Sequence, residues 1–229
     1  MWSWFFVVLV TACSYTVGMN SQALPALVLQ RCRERYGQVP GFLMFGSPFE
    51  LLIAVILSAQ TTDEQVNRAT PELFRRYPDA LRLSRADPSD LEQLIYGTGF
   101  YRAKARNIKA AAQYLMDFHN GQVPDTMEAL VPIPGVGRKT AGVVLHHVFN
   151  KPAIIVDTHF GRVCRRLGFS RHEDPERLEQ DIARLFPAEN WGECSMLLNL
   201  HGRRICTARK PLCADCFLID TCPSTIVGP

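Results

Sequence analysis

The sequence predicts an all-α protein, and three observations support this fold class. No long stretch alternates apolar and polar residues with the period of two that a half-buried strand requires. Helix-start signals recur along the chain instead, in which a capping residue precedes proline or a glutamate three residues later. The loops between these signals are short, and 47% of the 229 residues are hydrophobic. The chain is therefore long and apolar enough to pack about ten helices around a sizeable core.

Capping residues place the individual helices. Ser47, Pro48 and Glu50 form a capping box ahead of the apolar run 51–57. Thr62 opens the next helix, which we expect Pro71 to interrupt or restart because proline lacks an N–H donor. The other helices are expected to start at or near these residues, in chain order: Asp87, Phe100, Asp125, Arg138, Thr158, Asp174 and Asn190.

The stretch 130–157 carries the first functional signal. Residues 134–137, Pro-Gly-Val-Gly, predict a tight hairpin in which two glycines let the backbone approach a ligand closely. A helix is expected from Arg138 to about Asn150, and its unpaired N-terminal amides suit a phosphate. Lys139 lies in the first turn of this helix. It is therefore either a second phosphate contact or a nucleophile.

Four cysteines near the C-terminus form a second signal. Cys206, Cys213, Cys216 and Cys222 follow the spacing C-x6-C-x2-C-x5-C. Four soft thiolates so close in sequence predict a closed metal site in a reducing compartment, holding zinc or an iron–sulfur cluster. Zinc usually takes paired CxxC units, whereas one CxxC with longer arms suits a bulkier cluster.

The charge pattern indicates where a nucleic acid would bind. A net charge of +3 is only mildly basic, so nucleic-acid binding has to come from local clusters. Arg203 and Arg204 precede the first clustered cysteine, and Arg209 and Lys210 lie in the loop after it. A metal-held loop that presents four cations suits a phosphate backbone. A solvated basic surface is the alternative interpretation.

Residues 1–18 are doubtful as part of the folded protein. They carry no charge, and their apolar run is too short to span a membrane. A signal peptide would normally begin with basic residues, which are absent here. We expect translation to start at Met19, with a signal-like segment as the alternative.

The hairpin, the four cysteines and Asp157 occur together and in order, and in this the sequence resembles the endonuclease III family of DNA repair glycosylases. The resemblance extends from about Ser47 to Cys222. The matching residues are Leu130, 134–141, 156–159, the four cysteines and an early motif at 57–63.

The resemblance implies a two-lobed helix–hairpin–helix glycosylase fold. A six-helix barrel would occupy 41–151, with the helix–hairpin–helix motif at about 130–149. Residues 19–40 and 152–229 would form the other lobe, which holds a 4Fe–4S cluster on the four cysteines. The cleft between the lobes would bind double-stranded DNA that contains a damaged base or an abasic site. We further expect a monomer in the cytoplasm, associated with the nucleoid and without stable membrane association.

The resemblance also implies roles for individual residues. Gln60 would fill the gap left by an extruded base, and Phe100 would act as an apolar wedge. The hairpin residues that would contact DNA are Gly135, Val136, Gly137 and Arg138. Lys139 would attack the sugar and Asp157 would stabilise the positive charge that develops there, besides capping a helix.

These residues predict a base-excision repair enzyme that removes oxidised pyrimidines and cleaves abasic sites by β-elimination. Lys139 favours this bifunctional activity, because adenine-mismatch relatives usually carry serine there and thymine-mismatch relatives tyrosine. A monofunctional mismatch glycosylase and a non-catalytic DNA-binding module with zinc remain the alternatives. Gly142 and the pair Phe160-Gly161 depart from the family's usual residues and leave the lesion range open.

Overall fold

The computed structural model describes residues 23–225. The segment 1–18, with the question of its start, lies outside this range. Every regular element that the structure describes is helical, which confirms the all-α prediction. None of the described helices is long and apolar enough to cross a membrane. The α-helices are α1 (Ala23–Tyr36), α2 (Pro48–Leu57), α3 (Asp63–Arg76), α4 (Ala80–Ser84), α5 (Pro88–Leu94), α6 (Tyr101–His119), α7 (Met127–Leu130), α8 (Arg138–Phe149), α9 (Thr158–Arg166), α10 (Pro175–Leu185) and α11 (Trp191–Arg204).

The first hydrophobic core is built around α2. Residues 51–57 of this helix are all buried, as expected for a helix that is apolar on every side. Helices α3 to α8 supply the rest of this core, which runs in sequence from Phe49 to Ala153. The capping box forms as predicted. Ser47 Oγ accepts from the Glu50 amide at 3.2 Å, and the Glu50 carboxylate accepts from the Gly46 amide at 2.6 Å.

The expectation that Pro71 breaks the third helix is wrong. α3 runs without interruption from Asp63 to Arg76, with Pro71 inside it. An internal proline costs about 3 kcal/mol because it removes a hydrogen bond and clashes with the preceding turn. Leu73 and Phe74, one turn beyond, are buried in the core and offset this cost, since each contributes about 1.5–3 kcal/mol on burial.

Another expectation fails at the start of α7. Its cap is Thr126, whose hydroxyl accepts from the Ala129 amide at 3.3 Å, and not Asp125. Asp125 instead pairs with Lys151 at 2.6 Å, at the other end of the helix–hairpin–helix region. Lys151 also donates to the Asp125 carbonyl. An ion pair between distant segments has replaced the local cap that the sequence suggested.

The second hydrophobic core joins the two ends of the described chain. It contains residues of α1 together with α9, α10, α11 and Leu218. Two ion pairs fix α1 to this assembly, Arg31 with Asp220 at 2.5 Å and Arg33 with Glu193 at 2.6 Å. Residues 150–157 connect the two cores and have no regular structure. At the end of this connection, the start of α9 and the start of α8 line the same cavity.

Candidate active site

The hairpin before α8 has the tight turn that its glycines predict. Gly135 has φ of +82°, and a Cβ there would lie 3.0 Å from Ile56 Cγ2, so only glycine fits. Gly137 has ordinary extended backbone and no atom within 4 Å of a would-be Cβ. It provides no side-chain cap, so the first amides of α8 remain open to an anion.

Val136, which was predicted to contact DNA, lies between the two glycines of the hairpin. Its side chain is buried, and its amide donates to the Ile133 carbonyl at 2.9 Å within the hairpin. An apolar side chain at this position anchors the turn to the first core. The open amides therefore lie on either side of Val136, at the exposed glycines.

Lys139 and Asp157 line the same cavity, although 17 residues separate them in sequence. This cavity has a volume of about 70 Å³ and lies between the two cores. Lys139 reaches it from the first turn of α8, and Asp157 reaches it from the end of the connecting segment. A second, wider cavity of about 500 Å³ also has both side chains in its wall. The fold thus brings together the two residues that the sequence nominated for catalysis.

The carboxylate of Asp157 is held at both oxygens. Oδ1 accepts from the Phe160 amide at 2.7 Å, which makes Asp157 the N-cap of α9. Oδ2 accepts from Nδ2 of Asn199 on α11. The two hydrogen bonds fix the orientation of the carboxylate. The predicted capping role of Asp157 is therefore confirmed.

Asn199 is a site residue that the sequence reasoning missed. It is buried, lines the same cavity, and its Oδ1 is a buried acceptor without a hydrogen-bond partner among the described residues. A buried polar atom without a partner is uncommon and marks a strained or functional position. The signal in the sequence was a single asparagine inside the apolar run 196–200 of α11.

Two arginines near the cavity form ion pairs between the lobes. Arg138 binds Glu179 with Nη2–Oε1 at 2.6 Å and Nε–Oε2 at 3.2 Å. Arg203 binds Asp63 at 2.8 Å, and its guanidinium lies 4.4 Å from the centre of the Phe42 ring. Both were nominated as DNA contacts, and in the structure each is paired with a carboxylate. The other three nominated cations, Arg204, Arg209 and Lys210, are exposed.

The two residues nominated for insertion into DNA project from separate loops. Gln60 follows α2, and Phe100 precedes α6. Both are exposed, and 69% of the Phe100 surface is accessible, which is unusual for so large an apolar side chain. Both have left-handed backbone, with φ of +52° and +47° respectively. Non-glycine residues in this region cost about 1–2 kcal/mol, so the surrounding structure must enforce it.

The four clustered cysteines line one cavity at the end of the second core. This cavity has a volume of about 30 Å³ and a largely apolar wall, and none of the four thiols forms a disulfide. Within residues 23–225, no three His, Cys, Asp or Glu side chains converge closely enough for a single metal ion. Four thiols around a shared space, but too far apart for one ion, fit a polynuclear iron–sulfur cluster better than zinc.

Neighbouring side chains complement thiolate sulfurs at this position. Arg166 Nη1 lies 3.2 Å from Cys206 Sγ. His201 Nε2 lies 3.6 Å from Cys216 Sγ, while its Nδ1 lies 2.9 Å from the hydroxyl of Tyr36 on α1. Donors toward the sulfurs are the usual surroundings of an iron–sulfur centre. The residues present therefore fit the cluster that the sequence predicted.

Two family models match the chain. Residues 53–188 match the description "HhH-GPD superfamily base excision DNA repair protein". Residues 206–222, which contain the four cysteines, match the "iron-sulfur binding domain of endonuclease III". Fold and site together thus define a base excision repair protein of the helix–hairpin–helix class with a 4Fe–4S cluster as its cofactor.

Individual relatives narrow this class. An endonuclease III of Synechocystis is 49% identical over 80% of this chain and 84% of its own length. An endonuclease III of Escherichia coli is 43% identical over 85% and 92%. A solved structure of a trapped endonuclease III–DNA covalent intermediate superposes with a TM-score of 0.85 at 39% identity, and covers 90% of this chain and 98% of that one. The chain belongs to the endonuclease III family, as the resemblance predicted.

Proposed function

We propose that this protein is a bifunctional DNA glycosylase and abasic-site lyase that acts on oxidised pyrimidines in double-stranded DNA. The observation that carries the proposal is the shared cavity of Lys139 and Asp157 beside an uncapped helix N-terminus. An amine supplies a nucleophile, the carboxylate supplies a compensating charge, and the open amides hold a phosphate next to them. A mere phosphate-binding lysine would not require a carboxylate fixed at both oxygens.

The reaction begins when the neutral amine of Lys139 attacks C1′ of an extruded nucleotide. The bond from C1′ to the base breaks, and the base leaves with its electron pair and takes up a proton. The sugar ring then opens at its C1′–O4′ bond to give a Schiff base between C1′ and Nζ. This imine acidifies the C2′ proton, whose loss expels the 3′ phosphate. Water finally hydrolyses the imine and releases the lysine.

Asp157 carries out the electrostatic part of this reaction. Its carboxylate stabilises the positive charge that develops on the sugar and takes up protons released near C1′. Because both oxygens are already held, little reorganisation is needed during the reaction. The cluster is held by Cys206, Cys213, Cys216 and Cys222, and when bound it fixes the basic loop that bears Arg209 and Lys210.

Borohydride trapping on an abasic duplex tests the proposal. Reduction converts the Schiff base into a stable covalent adduct, which only an amine nucleophile can give. The wild type and a Lys109→Gln control are expected to trap, since Lys109 lies on α6, outside the walls of both cavities, and donates to the Ala86 carbonyl at 2.7 Å. Lys139→Gln is expected not to trap. Excision without trapping by the wild type would instead indicate the monofunctional alternative.

We also infer where and how the protein works. The four free thiols and the DNA substrate favour a reducing cytoplasm in association with the nucleoid. Residues 41–151 would act as the barrel lobe, and residues 19–40 with 152–229 as the cluster lobe, in a monomer. Cell fractionation with sizing of the purified protein tests these statements. Recovery of the protein in a membrane or secreted fraction would contradict them.

A further inference from the structure

Lys104, in the first turn of α6, is a buried cation without a counter-ion. Only 4% of its surface is exposed. Its Nζ donates to Thr61 Oγ1 at 2.8 Å and to the Thr98 carbonyl at 2.6 Å. The Thr61 hydroxyl donates to the same carbonyl, so the three groups form a closed triangle. Burial lowers the pKa of this lysine, and no carboxylate of the described chain opposes that effect.

The triangle joins the two loops that bear the exposed residues Gln60 and Phe100. Thr61 directly follows Gln60, and Thr98 lies two residues before Phe100. The loops come from parts of the chain about 40 residues apart, and Gly99 between Thr98 and Phe100 has φ of +65°. Gln60 and Phe100 themselves have left-handed backbone. The hydrogen bonds of Lys104 thus hold both strained loops at Thr61 and Thr98, next to the exposed side chains.

We propose that Lys104 is a positioning residue that locks these two loops together, so that Gln60 and Phe100 enter the DNA duplex as one rigid unit. The proposal rests on the proposed function and on the predicted roles of Gln60, which would fill the gap left by an extruded base, and of Phe100, which would act as an apolar wedge. Extrusion costs a few kcal/mol in lost stacking and pairing. Loops that are already ordered do not add their own ordering cost to that amount.

A purely structural explanation of Lys104 is weaker. An unpaired buried ammonium is costly, and replacing such groups with apolar residues of similar size is often neutral or stabilising. Lys104→Met should therefore fold at least as stably as the wild type. A buried ammonium that is not required for stability yet holds two strained, exposed loops is best explained by a role in DNA distortion.

The test compares substrates that do and do not require unpairing. One duplex contains an oxidised pyrimidine opposite its partner base, and the other contains the same lesion in a bulge without a partner. A 2-aminopurine beside the lesion reports extrusion by stopped-flow fluorescence, and single-turnover excision is measured in parallel. Lys104→Met is expected to extrude and excise about tenfold more slowly on the paired duplex. On the bulge its rates are expected to stay within about twofold of the wild type.

Two further variants sharpen the result. Lys109→Met removes another ammonium from α6, one that donates to the Ala86 carbonyl and takes no part in the triangle. This variant is expected to match the wild type on both substrates. Thr61→Val breaks the triangle from the other loop and is expected to act like Lys104→Met, even if the latter folds poorly. Equal losses on both substrates, or no loss on the paired duplex, would overturn the proposal. Inactivity of the wild type on both substrates would instead refute the proposed function.

Discussion

The contact between Gly192 and His146 gives the sharpest prediction about the joint between the two lobes. Gly192 lies in the first turn of α11, and His146 lies near the end of α8, the helix whose first turn bears Lys139. An ideal Cβ on Gly192 would lie 2.1 Å from His146 Nδ1, 2.4 Å from Cε1 and 2.7 Å from Cγ. Because three ring atoms are involved, rotation of the ring in place does not relieve the clash.

The effect of Gly192→Ala is the difference between two opposing contributions. Alanine is favoured over glycine inside a helix by about 1 kcal/mol. Overpacking of a close contact costs about 1–3 kcal/mol, and the separations here are far below any normal carbon contact, so the upper part of that range applies. We therefore expect Gly192→Ala to be destabilised by about 1–2 kcal/mol net, a melting-temperature decrease of roughly 2–8 °C for a chain of this size.

A double-mutant cycle on the cluster-loaded protein measures this contact. Melting temperatures of the wild type, Gly192→Ala, His146→Ala and the double variant are compared in one buffer. Once the ring is absent, the methyl group at 192 should be neutral or stabilising. The double variant should therefore have a higher melting temperature than the sum of the two single effects predicts. The expected coupling is about 2 kcal/mol. Additive effects, or a Gly192→Ala variant as stable as the wild type, would refute the reasoning.

The remaining predictions concern pH, positioning and DNA affinity. Burial and the neighbouring His146 lower the pKa of His147 to about 4 from 6.5, so its neutral form is favoured in the fold and stability falls as pH drops from about 6.5 toward 4. In His147→Phe, the free energy of unfolding should fall by about 2 kcal/mol less than in the wild type between pH 7 and pH 4.5, as measured by urea unfolding at both pH values. Asn199→Leu removes the hydrogen bond to one oxygen of Asp157 and should lower the single-turnover rate about tenfold with little change in KM. An unchanged rate and pH–rate profile would show that Asn199 does not position Asp157. Arg204→Gln should reduce the slope of log affinity against log salt by about 1, and an unchanged slope would show that Arg204 does not contact phosphate.

Local signals in the sequence predicted most of the helices. The caps Ser47, Thr62, Asp87 and Asp174 all accept hydrogen bonds from the first turns of their helices. Such caps are encoded within four residues, so the sequence alone is sufficient to identify them. The short helix α4 was missed although Asp79 caps it, because five residues give too little periodicity to recognise.

Interactions between distant segments explain what the sequence could not predict. The continuation of α3 through Pro71 depends on core burial beyond the proline, which a local rule does not include. The bond from Asn199 to Asp157 spans 42 residues, and that from Lys104 to Thr61 spans 43. Lys139 was identified because its hairpin is a local motif. The residues that support the site became visible only when the helices were packed.

The ion pairs of Arg138 and Arg203 mean that the cleft carries its own counter-anions. Each guanidinium is neutralised by a carboxylate from the opposite lobe, Glu179 or Asp63. A phosphate that takes either arginine displaces a protein carboxylate rather than an ion from solution, so that contact adds little to the salt dependence of affinity. The released carboxylate then faces a polyanion and repels it. We therefore expect Arg138 and Arg203 to contribute less to the salt dependence of DNA affinity than the exposed Arg204, Arg209 and Lys210.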